Sequence, residues 1–357
     1  MSKSSLLKGF YPSIKVLFIP FFLFFVLSGT ANASWLGGEK LNGKHVVLVH
    51  GFQFSDLKKA PREDEYLERC PVSYGFRKLA SYCVGWPSHL TFKELKPILA
   101  HHVNRIKKLL GDQKIVFITH SSGDLIKEYI LKYQKSWLRS QGKSPLNIEM
   151  SIDFSGGSGG TELADLAALF KSDWLVNLLL GHNNGLGFLT ELTTSKARSL
   201  TNSSSRYSSI PRIRIVSTGK QNWYTGVLIF FKILKGDADD LIPLHSQCGG
   251  KYARKMSSCD LWIAMDGRRQ KQSTGMRIAD RRDNFYPWLG SRIATHNKIL
   301  SDRNLSADEL VKFGLVPNYD RLSETYKTTG FWFWEKRYRF VSGTKGLTMA
   351  DILSKLR

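Results

Sequence analysis

The sequence has few acidic residues and few cysteines, and beyond residue 33 it has no long apolar run. Its 30 Asp and Glu residues face 52 Lys and Arg residues, which gives a formal net charge of +22. No two of its four cysteines have the C-x-x-C spacing of a zinc or redox motif. These absences exclude a transmembrane bundle and a cysteine-based metal centre. The positive charge favours contact with anionic membranes or other polyanions, but no nucleic-acid-binding motif accompanies it, so we expect no nucleic-acid partner.

Residues 1–33 have the pattern of a secretory signal peptide. Three lysines precede an apolar run at 16–29, and Ala31-Asn32-Ala33 follows as a cleavage site. We expect cleavage after Ala33 and export to the periplasm or the medium. The alternative is an uncleaved membrane anchor, which the short run and Pro20 disfavour.

The four cysteines remain in the chain after such a cleavage. An even number of cysteines in an exported chain favours disulfides, and four of them allow three connectivities. We favour the two local pairs, Cys70–Cys83 and Cys248–Cys259, because each closes a short loop.

Apolar runs alternate with helical patterns along the chain. Buried strands are predicted at 44–52, 114–120, 146–155, 212–219 and 260–265, and amphipathic helices at 92–110 and after residue 122. This alternation predicts an α/β fold, with a mostly parallel central sheet and helices on both faces.

The segment `FITHSSGD` (117–124) places two serines between a predicted strand and a predicted helix. A nucleophile elbow has this position, and it needs small residues two before and two after the nucleophile. For Ser121 these neighbours are Thr119 and Gly123, whereas Ser122 would have His120 and Asp124. We therefore predict that Ser121 is the nucleophile. The alternative is that the serines only cap a helix.

A serine nucleophile needs a base, an acid and an oxyanion hole. The loop after the first strand, `HGF`, and the elbow predict the backbone N–H groups of Phe52 and Ser122 as oxyanion donors. His296 is the predicted base and Asp239 the predicted acid, because both follow Ser121 in the order that this fold requires. The alternatives for the acid are Asp237 and Asp240. His245 is interpreted as structural, since it lies close to Asp239 in sequence.

These segments together resemble the α/β-hydrolase superfamily, and within it the exported bacterial triacylglycerol lipases. The resemblance covers residues 44–300 and rests on `VVLVHGF`, `FITHSSGD`, `GGTELAD`, `LTTSKARSLTN`, `DDLIPLHS` and `THNKI`. It implies an α/β-hydrolase fold, and it implies Ser121, Asp239 and His296 as the triad.

The sequence also departs from that family. Gly157-Ser158-Gly159-Gly160 replaces a Pro-His-Arg-Gly segment, and residues 156–160 lack the lysine of a phosphate-binding loop, so a nucleotide site is excluded. Asn297 follows His296 where such lipases often have a calcium-binding aspartate. We therefore expect neither a metal nor a cofactor.

The predicted domains are the signal peptide, a catalytic domain at 34–300 and a C-terminal extension at 301–357. The catalytic domain is expected to carry a helical cap or lid at about 166–205. In the extension, `FWFWEKRYRF` (331–340) predicts a strand or hairpin, and its aromatic and cationic residues offer an interfacial anchor as the alternative.

The resulting hypothesis is an exported serine hydrolase that cleaves lipid esters, resembling a triacylglycerol lipase. A phospholipase, an acyltransferase or a polyester depolymerase would use the same residues. The rival from another class is a catalytically silent hydrolase-fold protein that binds a partner in the cell envelope.

Overall fold

The computed structural model describes residues 41, 43–72, 74–170, 186–208, 210, 212–217, 238–247, 285–291, 295–296, 298–300, 324–329 and 336–341. Several predictions lie outside these residues: the signal peptide, the Cys248–Cys259 disulfide, Asp237, the strand at 260–265 and the centre of the lid.

Eight strands and eight helices are present within the described ranges. The strands are β1 (His45–Val49), β2 (Ala80–Val84), β3 (Ile115–His120), β4 (Ile148–Phe154), β5 (Arg212–Ser217), β6 (Phe285–Ser291), β7 (Glu324–Thr329) and β8 (Lys336–Val341). The helices are α1 (Ser55–Lys58), α2 (Glu63–Glu68), α3 (Tyr74–Leu79), α4 (Phe92–Leu110), α5 (Gly123–Arg139), α6 (Glu162–Phe170), α7 (Thr194–Tyr207) and α8 (Leu244–Gln247). Short 3₁₀ segments lie at Gly187–Thr190 and Lys298–Leu300.

Six of the strands form one sheet in the order β2-β1-β3-β4-β5-β6, and every neighbouring pair in it is parallel. The chain leaves β1 toward β2 on one side and then returns to β3 on the other side. The strand order therefore reverses between β1 and β3. Open α/β sheets bind ligands at the carboxyl ends of the strands beside such a reversal. The loop after β1 and the turn after β3 accordingly border the expected site.

The sheet is covered on both faces. Strand β1 is apolar after His45 and buried along its whole length, as expected for a strand with a layer on each side. On one face α4 contributes Leu95, Leu99 and Val103 to the core. On the other face Phe76 of α3 packs edge-to-face against Phe154, with the ring centroids 5.2 Å apart. The predicted α/β fold class, with helices on both faces of a parallel central sheet, is confirmed.

Helix α7 lies at the end of the range predicted for the helical cap or lid, about 166–205. It packs on α5. Its Ser204 hydroxyl donates to the buried Glu128 carboxylate. The Thr201 hydroxyl donates to the Ser158 carbonyl at 2.8 Å. The polar side of this helix therefore satisfies buried groups of the neighbouring elements.

The described residues also include a disulfide and a two-stranded hairpin, and they include no membrane-spanning helix. Cys70 and Cys83 form a disulfide, with their Cα atoms 5.7 Å apart, and it joins the loop after α2 to β2. Strands β7 and β8 pair antiparallel as a hairpin, so part of 331–340 is a strand as predicted. Among the described helices, none is long and apolar enough to cross a bilayer.

Candidate active site

Ser121 occupies a strained turn between β3 and α5. Its φ angle is +56°, in the left-handed region, which costs a residue with a Cβ about 1–2 kcal/mol. Its N–H donates to the Phe154 carbonyl at 3.0 Å, and its carbonyl accepts from Gly157 N–H at 2.8 Å. The neighbouring strand thus fixes the backbone on both sides of this serine. A strained serine between a strand and a helix is the geometry of a nucleophile elbow.

The small residues around Ser121 are required by close backbone contacts. A Cβ on Gly123 would lie 2.4 Å from the carbonyl oxygens of both Val49 and His50, so a side chain does not fit. Thr119 stands where the elbow motif has glycine. Its buried hydroxyl donates to Asp153 Oδ1 at 2.7 Å, so the departure from the motif is accommodated inside the sheet.

The two adjacent serines have different surroundings. The Ser122 hydroxyl is completely buried and has no hydrogen-bond partner in the described part of the chain. Ser121 is 8% exposed and faces the loop after β1, where a Cβ on Gly51 would lie 2.8 Å from the Ser121 Cβ. The structure therefore directs Ser121, and not Ser122, toward the expected site.

His296 and Asp239 form a hydrogen-bonded pair. The Nδ1 of His296 lies 2.8 Å from Asp239 Oδ2, and its backbone N–H donates to the Asp239 carbonyl, also at 2.8 Å. The second carboxylate oxygen of Asp239 accepts the Ile242 N–H at 2.9 Å. Both residues are buried, and the carboxylate is oriented before any ligand binds. Asp240, the alternative acid, adopts φ +86° and His245 lies in α8.

His296 lies at the same end of the sheet as Ser121. The ring of His120, the residue immediately before the nucleophile, is 4.9 Å from the ring of His296. Loops that lie far apart in the sequence thus bring the three predicted triad positions to the carboxyl edge of the sheet.

The predicted oxyanion donors are two backbone N–H groups beside Ser121. Within the described ranges, neither the Phe52 N–H nor the Ser122 N–H donates a hydrogen bond. Both flank Ser121, one from the loop after β1 and one from the start of the helix. Backbone N–H groups without an acceptor at this place can bind an oxygen that becomes negatively charged.

His50 shapes the loop after β1. Its Nδ1–H donates to the Gly51 carbonyl at 2.7 Å, and its Nε2 accepts the Trp86 N–H at 3.2 Å. The indole ring of Trp86 stacks on it at 5.3 Å. Burial and the Arg69 charge lower the pKa of His50 well below its usual value, so the ring is neutral. Because both ring nitrogens form hydrogen bonds, we infer that this histidine holds the loop in its conformation.

A chain of polar contacts supports the same loop from behind. The Gln53 N–H donates to Ser88 Oγ at 2.9 Å, and the Ser88 N–H donates to Asp56 Oδ2 at 2.7 Å. Arg69 in turn binds both oxygens of the Asp56 carboxylate and the Trp86 carbonyl. The loop with Phe52 is therefore tied to Arg69, the residue before the disulfide.

Six charged side chains, all fully buried, form a cluster beneath the elbow. They are three carboxylates and three cations: Asp124, Glu128, Asp153, Lys127, Arg212 and Arg214. Lys127 Nζ lies within 3.0 Å of all three carboxylates. Sequence reasoning missed this cluster, which joins α5 to β4 and β5.

At two of the three carboxylates the neighbouring positive charges outweigh the effect of burial on the pKa. Burial raises the pKa of Asp124, but Arg214 and Lys127 outweigh it and hold that pKa below its usual range. Arg212 and Lys127 likewise outweigh burial at Glu128, whose pKa is lowered. The Asp153 pKa is raised, because burial dominates there. The ion pairs of the cluster thereby join the first turns of α5 to β4 and β5.

In the described part of the chain, no cluster of three or more His, Cys, Asp or Glu side chains is arranged to hold a metal ion. The groups that the described residues bring to this edge of the sheet include a serine, an imidazole, a carboxylate and backbone N–H groups.

Comparison with known proteins gives similarity at the level of structure only. No protein-family model matches the chain, and no curated protein matches it in sequence. Solved structures similar to it include the mature lipase BlEst2 of Bacillus licheniformis, at 17% identity and a TM-score of 0.38, covering 62% of this chain and 82% of that one. EstA from Clostridium botulinum is 14% identical with a TM-score of 0.41, covering 82% and 91%. Lipase 1 from Pelosinus fermentans is 14% identical with a TM-score of 0.42, covering 79% and 100%.

Proposed function

We propose that this chain is a serine hydrolase that cleaves carboxylic esters through an acyl-enzyme. One observation carries the proposal: a strained, partly exposed serine and a hydrogen-bonded His296–Asp239 pair lie at the same edge of a parallel sheet. A helix-capping serine needs no left-handed φ and no histidine–aspartate pair beside it.

In the proposed reaction Ser121 Oγ attacks the ester carbonyl carbon while His296 Nε2 takes the serine proton. Asp239 keeps the proton of the ring on Nδ1 and stabilises the imidazolium that forms. The carbonyl oxygen gains the negative charge and is bound by the N–H groups of Phe52 and Ser122. The C–O bond to the alcohol then breaks, and His296 protonates the leaving oxygen.

Water completes the cycle. His296 takes a proton from the water that attacks the acyl-enzyme, and the carboxylic acid leaves with Ser121 restored. An alcohol acceptor in place of water would give acyl transfer, since the residues are the same.

Lipid esters are the proposed substrates. The `LVHGF` and `THSSGD` segments and their order support this choice, because they resemble those of exported triacylglycerol lipases. The Cys70–Cys83 disulfide supports export, because disulfides persist in oxidising compartments. The mass of the intact purified protein tests the cleavage after Ala33, because it shows whether residues 1–33 have been removed.

The experiment labels purified mature protein with a fluorescent fluorophosphonate, beside the Ser121→Ala and Ser122→Ala variants. Labelling that is lost only in Ser121→Ala is the expected result, and the same variant should lose hydrolysis of a graded series of acyl esters. Folded wild-type protein that neither labels nor hydrolyses any ester of the series would overturn the proposal and favour a catalytically silent binding protein.

A further inference from the structure

His120, the last residue of β3, makes a contact that the reaction described above does not use. Its Nε2 lies 2.9 Å from the backbone carbonyl oxygen of His296. A carbonyl oxygen only accepts hydrogen bonds, so the ring nitrogen must carry the proton. The residue before the nucleophile thus donates a hydrogen bond to the main chain of the base.

The surroundings of His120 keep the ring neutral. Burial and the nearby His296 lower the pKa of His120 to about 3. The titratable groups that face it are His296, Asp239 and His50. A ring without charge can donate from Nε2 without repelling the imidazolium that His296 becomes during the reaction.

Among the described residues, three hydrogen bonds hold His296, and they lead to two different parts of the fold. Asp239 accepts from the ring Nδ1–H and from the backbone N–H, so two bonds join the base to the acid. The bond from His120 joins the backbone carbonyl of the base to β3, which carries Ser121 directly at its end. The position of the base relative to the nucleophile therefore depends on that third bond.

We infer that His120 is a positioning residue, which sets the distance between His296 and Ser121 by donating to the His296 carbonyl. This inference rests on the proposed ester hydrolysis. A misplacement of about 1 Å costs roughly 10²-fold in rate. Loss of the bond should therefore lower kcat by about 10²-fold and leave KM nearly unchanged, because substrate binding does not involve the His296 carbonyl.

The test compares His120→Phe, which removes the donor, with His120→Gln, whose amide N–H can replace Nε2–H. Steady-state kinetics are measured on an ester that wild type hydrolyses. The apparent kcat of each variant is divided by the fraction of its molecules that react with fluorophosphonate, so that inactive molecules do not lower it. We expect the large kcat loss in His120→Phe and substantial rescue in His120→Gln. If His120→Phe does not fold, His120→Asn, whose amide is too short to reach the carbonyl, replaces it with the same expected loss.

His102→Phe is the matched control. His102 is also buried, its pKa is also lowered to about 3, and its Nε2 also donates to a backbone carbonyl, that of Gly85 at 2.7 Å. It lies in α4 and contacts neither Ser121 nor His296. This variant should lose stability and keep the kcat of its titrated sites.

The outcomes separate the inference from the proposed function. Wild-type kcat in His120→Phe, or equal losses in His120→Phe and His120→Gln, overturns the positioning role while ester hydrolysis stands. A kcat loss in His102→Phe as large as that in His120→Phe overturns it as well. Absence of any Ser121-dependent ester hydrolysis in wild type refutes the proposed function itself.

Discussion

The Nδ1 of His296 lies 2.8 Å from Oδ2 of Asp239, although 57 residues separate them in the sequence. The contact fixes the tautomer, because a carboxylate accepts the Nδ1–H and leaves Nε2 without a proton. A base near a serine needs its lone pair on that nitrogen. The pair therefore has the carboxylate partner that the proposed general base requires.

Asp239→Asn should lower kcat by about 10⁴-fold while the fold is kept, because an amide in place of the carboxylate favours the wrong tautomer of the histidine. The measurement is kcat on the best ester of the graded series, with circular dichroism as the check on folding. Asp240→Asn is the control, since its φ of +86° suits asparagine and its carboxylate is not the one bonded to His296. A comparable loss in Asp240→Asn would refute Asp239 as the acid.

Gly123→Ala should impair both stability and activity. The new Cβ would meet two backbone carbonyls at 2.4 Å, so α5 and the loop after β1 must separate, and overpacking of this kind costs about 1–3 kcal/mol. The shift also moves Ser122 N–H away from Phe52 N–H, which should lower kcat. Gly142→Ala is the control that separates the loss of stability from the loss of activity. That position has φ +69° and no neighbours within 4 Å, so we expect a loss of about 1 kcal/mol and an unchanged kcat.

Arg214→Met should destabilise the fold by about 3–5 kcal/mol, because removing one partner leaves a buried charge without compensation. The Asp124 carboxylate loses its Arg214 contact in this variant. Urea unfolding followed by fluorescence measures the change in the free energy of unfolding.

The double variant Arg214→Met/Asp124→Asn tests the electrostatic cause. Removing the Asp124 charge, which Arg214 balances in the wild type, should restore part of the stability, so the two effects should be less than additive. Full additivity would show that Arg214 contributes through packing of its side chain and not through charge.

His102→Gln should make the protein less sensitive to acid. The unfolded chain protonates this histidine near pH 6.5, whereas burial keeps the folded pKa at about 3. Between these values the unfolded state binds the extra proton, so stability falls as pH falls. One such group contributes a slope of about 1.4 kcal/mol per pH unit. The variant should lose that slope in urea titrations between about pH 6 and about pH 4, and an unchanged slope would contradict the neutral state of the folded histidine.

The parts of the fold with the clearest apolar pattern were predictable from the sequence. Helix α4 has the predicted bounds, and β3 begins one residue inside the prediction. Strands β2 and β6 were missed. In β6, Pro287 has no backbone N–H to donate to a neighbouring strand, so the sequence argued against a strand there. The structure places β6 at one end of the described sheet order, and an edge strand tolerates proline.

The buried charges were not predictable, because each one has an ordinary local explanation. Arg212 and Arg214 alternate with apolar residues, which is typical of a strand with one solvated face. Lys127 and Glu128 belong to an amphipathic helix whose charges are expected to face water. Only the pairing of β4 with β5, and the position of α5 across them, bring the opposite charges together.

The residues of the candidate site that belong to a sequence motif were predictable. Those that are placed by contacts between distant segments were not. The choice of Ser121 followed from the size of its neighbours, and the placement of Asp239 from its order in the chain. The chain of contacts from Gln53 through Ser88 and Asp56 to Arg69 joins segments with no shared pattern. The bond from His120 to His296 likewise spans 176 residues.

The 176 residues between His120 and His296 also separate the synthesis of these two residues in time. A ribosome adds about 5–20 residues per second, so roughly 10–35 seconds pass between synthesis of the nucleophile strand and synthesis of the proposed base. During this interval the growing chain contains Ser121 but not yet the residue proposed to activate it. The proposed hydrolysis of lipid esters therefore cannot begin in the cell that makes the protein until its chain has grown beyond residue 296.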